Sequence, residues 1–185
     1  MSRKKTIDQA MLFKETEKLI MESGYSGFHF KALSARLGVA RSTIYNYYTK
    51  KEELVTDYMV HLLENAVAQM DNVDQEEEPV KELIRLWSKY ANMHQMLQIM
   101  PYIDKKASPA VEENTKKMFG LFIKMKAKIE ATLKAGQMKG VVRDDIHMKT
   151  IVGLVMSTVQ IPVHHETLDE WVNEVYQLLM SGLKK

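Results

Sequence analysis

Between residues 40 and 50 the chain gathers side chains suited to reading the edges of bases: Arg41, Ser42, Thr43, Asn46 and Tyr47, preceded by Ala40. An arginine donates two parallel hydrogen bonds to guanine. An asparagine pairs with adenine, and the methyl groups of Ala40 or Thr43 suit the methyl of thymine. With Val39, Ile44 and Tyr48 turned inward on a helix, these six residues share its outer side. Lys31, upstream of them, is placed to reach a flanking phosphate.

Other chemistries find less support. The chain has no cysteine, which excludes disulfides, thiolate metal sites and cysteine nucleophiles. His164, His165 and Glu166 stand adjacent rather than at helical i, i+4 spacing, so the two rings diverge on a helix and no metal site is expected. There is no glycine-rich phosphate loop, no Gly-x-Ser-x-Gly and no carboxylate pair with a reason for shifted acidity. An enzyme is therefore not expected, nor is a cofactor.

Base-reading residues need elements to present them. Two short apolar-periodic segments, about His29–Leu37 and Arg41–Tyr47, flank a Gly38-Val39 turn, the order of a helix-turn-helix. Before them Leu12, Phe13, Thr16, Leu19 and Ile20 line one face of a first helix. Thr6 and Gln9 offer it a capping box, Gly24 a stop, and residues 25–28 a loop to the second helix.

In register across this stretch, Leu33-Ser34, Leu37-Gly38-Val39-Ala40, Ser42, Ile44-Tyr45, Tyr47-Tyr48, Lys51 and Leu54 resemble the tetracycline-repressor (TetR) family of bacterial regulators. The resemblance implies a three-helix DNA-binding head on a helical body that dimerises and often encloses a small-molecule pocket. It also implies a sequence-specific transcriptional regulator, by the family's habit a repressor. Tyr45 and Lys50 stand where the family contacts phosphates, and Lys50 precedes a helix whose free amides attract phosphate. A dimer of this kind presents two recognition helices about 34–36 Å apart. Two positions depart from the pattern: Ser42 replaces a usual glycine, and His29, a poorer cap, replaces a threonine.

Charge agrees with this placement. The chain is +2 overall, but residues 1–55 carry ten basic and six acidic side chains, so the remainder is slightly acidic. Apolar residues at 45% and charged residues at 27% suit a soluble protein with a real core. No run approaches the ~20 apolar residues of a membrane span, and the basic N-terminus has no apolar stretch behind it to make a signal peptide. A cytoplasmic location without a membrane partner is expected.

The rest of the chain is also helical. A fourth helix is expected from Lys51 to Met70, and residues 71–79 read as an acidic loop. Leu83, Leu86, Trp87, Tyr90, Met93 and His94 stripe the next helix, and Pro109 opens a long one to about Lys134. After Gly136–Gly140 two more follow, near 145–162 and 168–180, and only 141–143 reads as extended. The expected fold is all-α with about nine helices, divided into a head at 1–55 and a body at 56–185.

The chain has fourteen methionines, and those that fall in the body suit an adaptable interior. Trp87, Tyr90, Met96, Met100, Phe119 and Phe122, with Tyr102 beside them, are candidates to line a site for an apolar or amphipathic effector, or else simply to fill the core. Ile151, Val152, Leu154, Val155, Val159 and Ile161 make one late helix apolar on more than one side, and Leu168, Trp171, Val172, Val175, Leu178 and Leu179 stripe the other. Of these, Val152, Val155, Val159, Trp171, Val172, Val175 and Leu179 are the candidates for a homodimer seam about a twofold axis. The expected partners are double-stranded operator DNA, a small-molecule effector and a second copy of the chain. Two other readings compete: a helical binding protein or enzyme whose head only resembles the family, and a non-specific architectural DNA binder.

Overall fold

A computed structural model of the protein describes residues 7–90, 96, 98–163 and 167–183. Thr6, Met93, His94, His164, His165 and Glu166 lie outside the described residues, as do Arg3, Lys4 and Lys5. Eight α-helices appear among those described: α1 Gln9–Gly27, α2 Phe30–Leu37, α3 Arg41–Tyr45, α4 Lys51–Gln69, α5 Pro79–Lys89, α6 Pro109–Met138, α7 Met148–Ser157 and α8 Leu168–Leu183. Short 3-10 turns cover Met70–Gln75, Met100–Tyr102 and Thr158–Gln160, and no strand occurs among the described residues. The acidic loop expected after α4 thus begins as helical turns, and 141–143 forms no strand.

The chain divides into two compact units, one of residues 1–61 with 95–118 and the other of residues 62–94 with 119–185. In the first, α1 buries Leu12, Phe13, Thr16, Leu19 and Ile20, the face that its periodicity marks. The Thr16 hydroxyl donates to the Leu12 carbonyl at 2.8 Å, so the polar group in this apolar face is satisfied. Phe13 packs against Tyr58 and His61 of α4 with ring centroids 5.4 and 5.2 Å apart. Burying an aromatic of this size contributes about 1.5–3 kcal/mol. Asp8 accepts from the Ala10 amide and caps α1. Gly24, at φ 69°, breaks the helix where a stop was expected, although residues 25–27 keep helical turns before Phe28.

Within the second unit, α5 packs on α8. Leu83, Ile84 and Trp87 of α5 and Trp171, Val172 and Val175 of α8 are all buried. The pair is stapled at its rim by Arg85 to Asp169. The Trp171 indole donates to the Pro162 carbonyl at 2.9 Å. The Trp87 indole N–H is buried and finds no acceptor among the described residues. The backbone N–H of Arg143 donates to the Leu183 carbonyl at 2.8 Å and its guanidinium to that of Gly182, which closes the C-terminal end of α8.

Candidate nucleic-acid interface

The turn between α2 and α3 is set by Gly38, which caps α2 in the left-handed conformation at φ 62°, ψ 36°. Its amide returns to Ala35, and the Val39 amide donates to the Ser34 carbonyl at 3.1 Å. Leu33 and Ile44 have no exposed surface and pin the two helices together. At the other end of α2, Nδ1 of His29 accepts from the Ala32 amide at 3.0 Å. The residue expected to cap poorly therefore caps, provided that Nδ1 keeps its lone pair. Arg36 of α2 holds Glu22 of α1, fixing the pair from the solvent side.

This frame leaves one side of α3 free. Lys31, Ala40, Arg41, Ser42, Tyr45, Asn46 and Tyr47 are exposed and Thr43 is half-buried. Arg41, Ser42, Asn46 and Tyr47 make no side-chain hydrogen bond or ion pair to any described residue. Asn46 and Tyr47 lie in the turn after α3 rather than on it, because the helix ends at Tyr45. The Tyr45 ring stands edge-on to Phe30, with centroids 5.2 Å apart and planes at 78°, which fixes the ring while half of the residue stays exposed. Tyr48 and Leu37 are half-buried rather than core. The Tyr48 hydroxyl donates to Asp57 of α4 at 2.5 Å, and burial, reinforced by that carboxylate, raises its pKa and keeps it a donor.

Lys50 is exposed, as a phosphate ligand must be, and its ammonium donates to the Ala107 carbonyl. The amides before α4 are not available to phosphate as expected. Glu53 Oε2 accepts from the Thr49 and Lys50 amides at 2.8 and 3.2 Å and from the Thr49 hydroxyl at 2.9 Å. Glu53 thus closes a capping box on the amides that lead into α4. Burial opposes ionisation of Glu53, but hydrogen bonds from Ser108, Thr49 and Lys50 outweigh it and hold its pKa below the ordinary value. Lys51 turns inward: its ammonium donates to the Tyr25 and Phe28 carbonyls at 3.1 and 3.3 Å and lies 4.2 Å from the Tyr25 ring centroid. Position alone gave no sign that Lys50 and Lys51 would divide in this way.

The six residues assigned to an effector site do not share one environment. Trp87, Tyr90 and Met96 are buried, and Met100 and Phe122 are half-buried. The Tyr90 hydroxyl accepts from Gln69 at 2.8 Å. Phe119 is 68% exposed and is no wall of an enclosed site, and Tyr102 is more exposed still. On α6 the core phase runs through Met118, Met125, Ile129 and Leu133, and Phe119 lies on the other side.

The proposed seam residues also fall differently. Val152, Val155, Trp171, Val172, Val175 and Leu179 are buried within the chain itself, so their surfaces are not open to a partner, and Val159 is half-buried. The open apolar positions of α7, α8 and the segment joining them are Leu154, Ile161, Val163, Leu168 and Leu178, with Leu178 76% exposed. Gly153 and Gly182 lie among them with open space over their Cα atoms. Among the described residues no three His, Cys, Asp or Glu side chains gather to hold a metal ion, and no helix is long and apolar enough to cross a membrane.

Residues 12–58 match the family model of bacterial regulatory proteins, tetR family. Residues 94–185 match that of the SbtR-like transcriptional regulator C-terminal domain. Comparison with curated proteins finds no match. Solved structures do match. The ketosteroid transcriptional regulator of Mycobacterium tuberculosis superposes with TM-score 0.77 at 13% identity, covering 99% of this chain and 100% of its own. PfmR, a TetR family transcriptional regulator from Thermus thermophilus, gives 0.76 at 20% identity over 98% and 100%. The transcriptional regulator FadR of Bacillus subtilis, solved in complex with stearoyl-CoA, gives 0.66 at 20% identity over 95% and 100%. At these identities the likeness is one of fold.

Proposed function

The chain belongs to the tetR family of bacterial regulatory proteins, and from that premise we propose that it is a transcriptional repressor that reads an operator through α3 and the turn after it. The observation that carries the reading is the uncommitted outer side of α3. Arg41, Ser42, Asn46 and Tyr47 are exposed and unpaired among the described residues, while Leu33 and Ile44 behind them are fully buried. Donors and acceptors left free on a rigid support suit base edges, and Lys31, Tyr45 and Lys50 around them suit phosphates.

A second copy supplies the other half-site. The exposed apolar positions Leu154, Ile161, Leu168 and Leu178 make the better seam, since the inner stripes of α7 and α8 are already used. An effector with apolar bulk releases the DNA by favouring a body conformation that misplaces the heads. About 10⁴-fold preference for one state takes the population from 1:99 to 99:1. The buried N–H of Trp87, without an acceptor among the described residues, favours an effector that also carries a hydrogen-bond acceptor. FadR, the relative solved with stearoyl-CoA, bound a ligand of that mixed character.

Selection of bound fragments from random genomic DNA tests the reading. An inverted repeat enriched by the protein is expected. Binding to all fragments alike, with a single salt slope, would instead favour an architectural DNA binder.

A further inference from the structure

A cleft of about 460 Å³ opens within the second unit, between the start of α5, the end of α6 and the flank of α8. Its size lies in the roughly 300–1,000 Å³ range of small-molecule sites. None of the six residues assigned above to an effector lines it. The buried side chains of Val80, Val142 and Met180 give it an apolar floor. The floor is held in register by Gly136, whose carbonyl accepts from the Val141 and Val142 amides at 2.9 and 3.2 Å. A Cβ at Gly136 would stand 2.7 Å from Cγ2 of Val142, so only glycine permits this approach.

The rim has a definite electrical character. Glu77, Glu78 and the Tyr176 ring line it. Lys81, from just behind, pairs with Glu78 at 3.0 Å and places its ammonium 5.7 Å from the Tyr176 ring centroid. An ammonium between a carboxylate and an aromatic face is therefore already part of this neighbourhood. Glu77 has no such partner among the described residues. The C-terminal end of the long α6, the negative end of its dipole, opens on the same space. Lys139 is the basic residue in the lining, and it is exposed on a flexible stem.

We propose that this cleft binds a small amphipathic organic cation, its hydrocarbon on Val80, Val142 and Met180 and its ammonium at Glu77 beside the Tyr176 ring. An anion would meet Glu77 and the negative end of a helix, Glu78 being already held by Lys81, with only the exposed Lys139 to favour it. A neutral molecule would use the floor and leave Glu77 solvated. The assignment is independent of whether the chain represses transcription.

Calorimetric titration of the full chain with octyltrimethylammonium, octanol and octanoate tests it. The cation should bind, octanol several-fold more weakly, and octanoate not at all. Glu77→Gln and Tyr176→Leu should each weaken the cation about two- to fivefold, the scale of an exposed ion pair or cation–π contact. Lys139→Ala should strengthen it by removing a like charge. Ala135→Trp, which fills the cleft from an exposed position, should abolish binding while the unliganded melting temperature stays unchanged. The proposal is overturned by absence of cation binding, by equal affinity for octanol, or by binding that survives Ala135→Trp. Weaker cation binding in Lys139→Ala would also overturn it.

Discussion

The ammonium of Lys50 donates to the main-chain carbonyl of Ala107, in the turn that leads into α6. Within the same unit Asn114 of α6 donates to the Thr56 hydroxyl at 3.2 Å, and Ser108 bonds Glu53. The start of α4, just after the turn that follows α3, is thus tied to the start of α6 at three places. A phosphate that takes Lys50 must take it from Ala107.

Arg41 and Lys50 should separate by readout. Arg41→Ala should cost about 1–3 kcal/mol on the operator and relax preference at one base pair, with little change on random DNA. Lys50→Ala should weaken all sequences and reduce the salt slope by about one. Fluorescence anisotropy on operator and random duplexes at several salt concentrations checks both. Equal losses on both duplexes for Arg41→Ala would remove its base-reading role.

Acid should loosen the start of α4. Because the pKa of Glu53 is depressed in the folded chain, its contribution is present above the ordinary carboxylate value and is lost as pH falls through the depressed one. Urea unfolding at neutral pH should therefore show Glu53→Gln less stable than the parent. The gap should narrow in acid, where the parent loses its carboxylate bonds. An unchanged gap would mean that the charge of Glu53 contributes nothing.

At the helix-turn-helix, Gly38→Val should cost about 1–2 kcal/mol, the penalty of a side chain in the left-handed region. A Cβ there meets nothing within 4 Å, so the loss is conformational rather than steric. Gly38→Asn should lose less. Denaturant midpoints of the three proteins give the comparison.

Assembly is tested on the open face. Leu154→Asp with Leu178→Asp should leave the monomer folded, since both side chains are exposed, and should halve the mass seen by light scattering. Val155→Asp should unfold the body instead, as its site has no exposed surface and the charge would be stranded. A dimer that survives the double substitution would move the seam elsewhere.

The head was legible in the sequence because each of its signals is local. The i, i+4, i+7 face of α1, the Gly38 turn and the inward Ile44 each follow from neighbours a few residues away. The body was legible only as helices. α7 carries Val152 and Val155 on one side and Leu154 on another, and periodicity does not say which side meets its own chain. That is decided by what packs against the helix from elsewhere in the chain, which no local pattern encodes. Phe119 misled for a related reason: aromatic identity suggested a wall, whereas the phase of α6 is set by Met118, Met125, Ile129 and Leu133. The bond from Lys50 to Ala107 joins residues too far apart in sequence for any local pattern to announce.

Both tryptophans of the chain, Trp87 and Trp171, lie in the second unit, and their indoles are not equivalent. Trp171 is tied to the Pro162 carbonyl, whereas the Trp87 N–H has no acceptor among the described residues. Indole emission therefore watches the second unit while α3 carries no indole, and Trp171→Phe isolates one emitter in an apolar setting. A molecule that brings an acceptor to Trp87 would shift that light to longer wavelength, so the protein carries its own optical probe of body occupancy.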